Sequence, residues 1–184
     1  MANEKVHEIP IANVARVEVV TEETSAKTYV VETANEIALE AFVSEGEEKE
    51  LRKLNRLIAQ LRTEDIIKGY DITLKDLVIH PFVLAIVDGG QSTVSETGAF
   101  SYDGPTMGEV VSRTPFTLNI YTEEKDTDGE TAGYLKLTCK HCKGSPAKFT
   151  VKDGDFYAPE YTIKSRPKKG EKPLSITQVD ELPA

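Results

Sequence analysis

Residues 115–165 constrain the fold more than any other stretch, because their apolar and polar residues alternate. Phe116, Leu118 and Ile120 occupy every second position, which is the pattern of a half-buried β-strand. A polar run ends this strand, and the same alternation returns over residues 134–139. The stretch therefore predicts neighbouring antiparallel strands rather than helices.

Two more strands are predicted before residue 165. A turn at residues 143–146 leads to a third strand, with Phe149 and Val151 on one face. The Asp153–Gly154 pair favours a hairpin turn, and residues 157–165 form the fourth strand. Because four antiparallel strands cannot bury their apolar face alone, the N-terminal half must supply the opposing layer.

The N-terminal half shows the same pattern, with one helix after it. Alternation predicts strands over residues 15–19, 36–43 and 71–75. Near the C-terminus, Leu174 and Ile176 mark a short last strand. The apolar run from Pro81 to Val87 predicts a short buried helix. Its Pro suits the first helical position, and Gly89 suits the left-handed C-cap.

Three segments lie outside this pattern. We predict one domain over residues 1–184, with a flexible N-terminus at 1–13, an arm at 44–62 and a long loop at 91–114. Loops of such length are usually functional or ordered by a partner. The predicted fold class is mainly β: an antiparallel β-sandwich or barrel with one short flanking helix and a long arm or loop.

The conformation of the arm is ambiguous from its sequence. Leu51, Leu54, Ile58 and Leu61 recur at helical spacing, and no Pro or Gly interrupts residues 47–68. Leu57, Ala59 and Leu61 equally fit an alternating strand. The pattern favours a helix, although the alternating interpretation stays open.

Charge argues against a protein that binds nucleic acid by neutralising phosphates. The formal net charge is −9, and residues 1–50 hold twelve acidic and four basic residues. Such a surface still allows DNA to slide past it. No signal-peptide pattern and no long apolar run is present, which favours a soluble, cytoplasmic protein that does not enter membranes.

Catalytic and metal-binding motifs are sparse. Cys139 and Cys142 form a Cys-x-x-Cys motif around His141, but the other histidines, His7 and His80, lie far away in the sequence. A tetrahedral zinc site needs about four ligands. We predict an inward Cys139 that packs as a small apolar residue and a Cys142 in a turn, with no metal, no cofactor and no catalytic residues.

The order of segments resembles the major tail tube proteins of tailed bacteriophages over most of the chain, from about Ile37 to the end. The segments that carry the resemblance are SEGEEKELRKLNRLIAQLRTEDIIKGYDITLKD, HPFVLAIVDGG, PFTLNIYTEEKDTDGETAGYLKLTCKHCKG and EYTIKSRPKKGEKPLSITQVDELPA. These are long patterns rather than a catalytic signature.

The resemblance implies a structural virion protein rather than an enzyme. Its copies would form stacked, hexameric rings, and the viral genome would pass through the tube without specific binding. Other tail proteins, such as tape measure, terminator and baseplate components, would be its partners. The protein would be assembled in the cytoplasm of the bacterial host and lie in the virion tail.

Three other functions are compatible with the same sequence. The first is the tube of a phage-tail-like bacteriocin or injection system, since related tubes occur there. The second is a monomeric β-sandwich module for adhesion or carbohydrate binding. An enzyme or metal protein centred on Cys139 and Cys142 is the third possibility, which the shortage of ligands disfavours.

The arm is the candidate interface between rings. Acidic residues occupy its start and basic residues follow, so the arm of one copy can pair head to tail with a complementary patch on the next. Apolar residues would anchor the contact, because exposed ion pairs alone contribute little. An ordinary amphipathic helix packed on its own sheet is the alternative. The predicted interface residues are Glu45, Glu47, Glu48, Leu51, Arg52, Leu54, Arg56, Leu57 and Ile58.

Overall fold

The computed structural model describes residues 8–154, 156–157 and 159–183. Strands make up 54% of it, which confirms the predicted mainly β class. In chain order the described elements are β1 Ile11–Thr21, β2 Thr28–Val31, β3 Ala34–Ser44, β4 Glu48–Lys53, β5 Arg56–Arg62, β6 Ile66–Asp76, α1 Pro81–Asp88, β7 Gln91–Val94, β8 Phe100–Asp103, β9 Phe116–Lys125, β10 Thr131–Gly144, β11 Glu160–Ser165 and β12 Ser175–Val179.

Eight strands form one antiparallel main sheet, in the order β2-β1-β9-β10-β11-β6-β3, with β12 also paired to β10. The long strand β10 joins the two halves of this sheet. Its residues 134–138 pair with β12, and its residues 142–144 pair with β11. The register between β10 and β9 shifts between Cys139 and Cys142, and such a bulge bends a strand.

Both halves of the main sheet contribute to one apolar core. Val17 and Leu118 come from β1 and β9, whereas Ile72 and Ile163 come from β6 and β11, and all four are buried. β1 lies near β3, but β2 and β3 stay open edges of the sheet, which is not a closed barrel. The alternation in the sequence therefore identified the buried faces correctly.

Helix α1 forms where the sequence predicts it. Pro81 begins the helix, and Gly89 caps it with a φ of 87° and an N–H that donates to the Ala85 carbonyl at 2.9 Å. Val83 and Val87 are buried against the sheet, while Phe82 stays half exposed and stacks on Tyr29 of β2.

The arm is extended and not helical, although its apolar residues recur at helical spacing. β4 and β5 form a separate two-stranded sheet in which Glu48 pairs with Arg62 and Lys53 with Arg56. The alternating interpretation of residues 57–61 is the correct one. Every residue from 48 to 62 is exposed, so a helical apolar stripe there would not be buried, and β3 and β6 enter and leave the arm as paired strands.

The predicted third strand at Phe149 and Val151 is wrong. β10 continues to Gly144 and pairs directly with β11, so the position beside it in the sheet is already filled. The described residues between β10 and β11 carry one isolated bridge, from Lys148 to Glu160 at the start of β11. Both apolar side chains are exposed there.

Three smaller features also differ from the prediction. The predicted loop at 91–114 contains the hairpin β7–β8, which we call the second hairpin, residues 91–103. Residues 11–13 of the predicted flexible N-terminus belong to β1, and residues 1–7 lie outside the described residues. The short edge strand β2 was not predicted, because four residues give too little alternation.

Candidate assembly surface

The arm projects from the end of the β3–β6 pair. Every residue of β4 and β5 is exposed. The six residues of β4 span roughly 20 Å at about 3.3 Å per residue. A two-stranded hairpin is marginally stable on its own in water. The arm therefore lacks, within one chain, the layer that normally stabilises such a hairpin.

The root of the arm is fixed by hydrogen bonds between its two strands. The Glu47 N–H donates to Thr63 Oγ1 at 2.7 Å, and the Thr63 N–H donates to the Glu47 carbonyl at 3.0 Å. A Cβ at Gly46 would lie 1.8 Å from the Thr63 carbonyl oxygen, so glycine is required for this close approach. These contacts join the arm to β3 and β6.

One face of the arm, which we call the apolar face, is mostly apolar but includes Lys49, and the opposite face is charged or polar. Leu51 pairs with Ala59, and Lys49 pairs with Leu61, so these four side chains share a face. Leu51 and Leu61 are more than half exposed, as is Ile58 beside the register shift. The other face carries Glu48, Glu50, Gln60 and Arg62. The apolar face has no cover within the described chain.

The charges of the arm run from an acidic root to a basic tip. Glu47 is bound to Lys49 at 2.8 Å and Glu50 to Arg52 at 2.5 Å, but these ion pairs are largely exposed and stabilise the fold little. Because the hairpin folds back, Arg62 returns to the root. The predicted order of acids before bases thus becomes a gradient along the hairpin.

The nine predicted interface residues are all exposed. The structure brings them into one projecting hairpin instead of a helix. Glu45, Glu47 and Glu48 lie at the root, Leu51, Arg52, Leu57 and Ile58 in the middle, and Leu54 and Arg56 at the tip.

The arm tip, residues 53–56, contains an unfavourable turn. Leu54 has a φ of 54°, in the left-handed region that a bulky side chain rarely adopts, and it is 93% exposed. Lys53 and Arg56 lie directly opposite each other, where like charges repel. The described part of the chain offers neither of them an ion pair.

The second hairpin is held by a residue that the sequence analysis did not single out. Asp88 ends helix α1 and is buried; its carboxylate accepts hydrogen bonds from the Tyr102 hydroxyl and, at 2.9 Å, from the Ala147 N–H. Its backbone carbonyl accepts one from Arg113 Nε at 3.1 Å. Burial, and then the hydrogen bond to Asp88, raises the pKa of Tyr102.

The two cysteines are core residues. The register shift in β10 places both Cys139 and Cys142 in the core, so Cys142 is not in a turn as predicted. His141, with a φ of 52°, instead points outward to Glu22, with Nδ1 2.9 Å from Oε2. Burial raises the pKa of the Cys139 thiol to about 11, and burial followed by the neighbouring Cys139 raises that of Cys142 to about 12. Such thiols are poor nucleophiles and poor metal ligands.

His80 lies beside a carboxylate and a hydroxyl, but their order does not suit acid–base catalysis. Thr33 Oγ1 donates to Asp76 Oδ1 at 2.5 Å, and His80 Nε2 lies 3.3 Å from Asp76 Oδ2. Thr33 Oγ1 also lies 3.1 Å from His80 Nε2, but the same ring nitrogen faces Asp76, so the imidazole does not stand between the carboxylate and the hydroxyl as a catalytic triad requires. The group joins the end of β6 to the start of α1.

The described residues offer neither a metal site nor a membrane-spanning helix. They contain no group of three or more His, Cys, Asp or Glu side chains placed to hold a metal ion. In the same residues, no helix has the length and apolar character that crossing a membrane requires.

Comparisons with known proteins found similarity in structure only. No protein-family model matches the sequence. No curated protein matches it at a significant level. The chain is similar to one in the cryo-EM structure of an extracellular contractile injection system, the PVC sheath–tube complex in its extended state. That match has 10% identity and a TM-score of 0.49, and it covers 92% of this chain and 93% of the other. It is also similar to a chain of the anti-feeding prophage baseplate, with 10% identity, a TM-score of 0.43 and coverage of 96% and 97%.

Proposed function

We propose that this chain is a structural protein whose copies assemble into stacked rings of six, which form the tail tube of a bacteriophage. The single observation that carries the proposal is the arm, a long hairpin with an uncovered apolar face and a basic tip. A second copy provides the missing cover. The resemblance of the sequence to major tail tube proteins supports the same function.

Ring closure would use the open edges of the main sheet. β2 and β3 each have a partner strand on one side only. Unpaired edges invite pairing with another chain, and closing sheets from several copies into a barrel removes them. Lateral contacts would therefore form the ring, and the arms would join successive rings.

The lumen would conduct the genome without holding it. A net charge of −9 per chain repels phosphates, so DNA slides past the wall instead of binding to it. Tape measure, terminator and baseplate proteins would contact the tube at its ends or inside it. The same geometry would serve the tube of a phage-tail-like injection particle, which differs in cargo and not in how copies join.

The test is assembly of the purified full-length chain. We expect light scattering after size exclusion to show species near six times the 20.3 kDa of one chain, and negative-stain images to show rings or tubes. We also expect no binding to a fluorescent DNA duplex at physiological salt. A protein that stays monomeric at every concentration, or one that binds DNA tightly, would overturn the proposal.

A further inference from the structure

The arm tip carries features that one chain does not compensate. Lys53 and Arg56 face each other as like charges, and Leu54 between them is strained and almost completely exposed. A turn formed by Asn–Gly would avoid both the strain and the exposed leucine. A partner with negative charge and an apolar contact would compensate for all of these features.

A cleft beside the second hairpin has the complementary character. We call it the acidic cleft; its volume is about 320 Å³, and it lies between the end of α1 and residues 103–112. Asp103 and Glu109 contribute carboxylates, and Val110 and Val111 contribute apolar wall. No Lys or Arg is among the lining residues.

The carboxylates of the acidic cleft are free to receive a cation. Asp103 and Glu109 are exposed, and their side chains form no ion pair with any described residue. Val110 is 96% exposed and Met107 is 99% exposed, although both are large apolar residues. Exposure of this kind marks surfaces that bind a partner.

The loop that forms one wall of the cleft is anchored at both ends. Tyr102 on one side of residues 103–112 and Arg113 on the other both bind Asp88. The loop between them is thus tied at both ends to one buried residue of α1. Such preorganisation lowers the entropy lost on binding.

We propose that the arm tip of one copy docks in the acidic cleft of a second copy. Lys53 and Arg56 bind Asp103 and Glu109, and Leu54 covers the exposed valine and methionine of the loop. The inference rests on the proposed function, because it requires arms that join copies. The contact uses two different surfaces, so it propagates from copy to copy instead of closing a dimer.

Charge separates this cleft from another exposed apolar surface of the chain. Phe149 and Val151 are also exposed, but Lys148 and Lys152 flank them. Lys148 forms an ion pair with Glu160 at 3.6 Å, so the charge of Lys152 is the one that disfavours a basic tip there, whereas no cation lines the acidic cleft.

The first experiment exchanges the charges of the full-length chain. One variant carries Lys53→Glu and Arg56→Glu, a second carries Asp103→Lys and Glu109→Lys, and a third carries all four. We expect each double variant to raise the protein concentration needed for assembly by about tenfold or more, and the quadruple variant to restore it to within about threefold. Asp128→Lys and Lys172→Glu, both on exposed residues elsewhere, serve as controls that leave assembly unchanged.

The outcomes separate this inference from the proposed function. If the wild-type chain does not assemble, both fail. If the wild-type chain assembles and reversal of the cleft charges has no effect, or if the quadruple variant is not rescued, only the docking site is wrong. Far-UV circular dichroism confirms that each variant is folded, and every altered residue is exposed in the single chain.

A second experiment locates the contact directly. Leu54→Cys and Val110→Cys are made in separate chains, mixed and oxidised; the native thiols are buried and do not compete. We expect disulfide-linked dimers from this mixture, at least about fivefold more than from Leu54→Cys mixed with Thr127→Cys. Equal yields from the two mixtures would overturn the proposed docking.

Discussion

Strands β5 and β9 share the same apolar alternation but have opposite environments. In β9, Phe116, Leu118 and Ile120 point into the core and are buried. In β5, Leu57 and Leu61 are about half or more exposed, because none of the described elements covers them. Alternation thus identifies which face of a strand is apolar, but not what covers that face. The proposed function assigns the cover of the arm to another chain.

Substituting one leucine in each strand gives the largest contrast. Leu118→Ala creates a cavity in the core and should lower the free energy of unfolding by about 2–5 kcal/mol. Leu61→Ala should change it by less than about 0.5 kcal/mol in the isolated chain. Urea unfolding below the assembly concentration measures both. Similar losses from the two substitutions would mean that the arm packs on its own body.

The second hairpin should lose protection from hydrogen exchange when Asp88, which anchors it, is substituted. Asp88→Ala leaves the Tyr102 hydroxyl and the Ala147 N–H without their acceptor, which should cost about 2–3 kcal/mol. Hydrogen exchange should show faster exchange over residues 91–103. The matched control is Asp103→Ala, on the exposed side of the same hairpin. Equal protection in both variants would show that Asp88 is not the anchor.

The strain at the arm tip predicts a substitution that stabilises the single chain. Leu54→Gly removes the left-handed penalty and should raise the stability of the hairpin by up to about 1 kcal/mol. The same change removes the exposed apolar contact and should weaken assembly. Asn55→Gly is the control, because it alters the turn but keeps Leu54. A variant that assembles as well as the wild type would argue that Leu54 has no partner.

Ion pairs on the body should be as weak as those of the arm. Partial burial tends to raise the pKa of Glu22, but hydrogen bonds from the side chain and backbone of His141 outweigh it and hold the pKa below its ordinary value. Its contribution, about 0.5 kcal/mol, is present above pH 4.5 and is lost as the pH falls through the lower, folded-state pKa. Glu22→Gln should remove this acid dependence; an unchanged pH profile would contradict it.

The elements that could be predicted from the sequence are those whose signal is local. β9 and α1 show it best, since the period of two and the Pro81 and Gly89 boundaries each have a direct physical cause. The arm misled because leucines that alternate along a hairpin with a register shift also fall at helical spacing. The strand predicted at Phe149 does not form, because β10 continues beyond its alternating residues and pairs with β11.

Two features of the sites depend on three-dimensional context. The bulge at His141 turns Cys142 into the core, and no residue pattern marks where a register shifts. Asp88 does give a signal in the sequence, because a carboxylate at a helix C-terminus is unfavourable and therefore implies a compensating contact. That reason is the anchoring of two separate connections, which became visible only in the fold.

The central claim is that the arm joins copies and does not stabilise its own chain. Replacing residues 46–60 with a short Gly/Ser linker tests it most directly, by circular dichroism and negative-stain imaging of the same sample. We predict a soluble, folded β protein that no longer forms tubes. A variant that still forms tubes of normal length, or one that unfolds and aggregates, would contradict the claim.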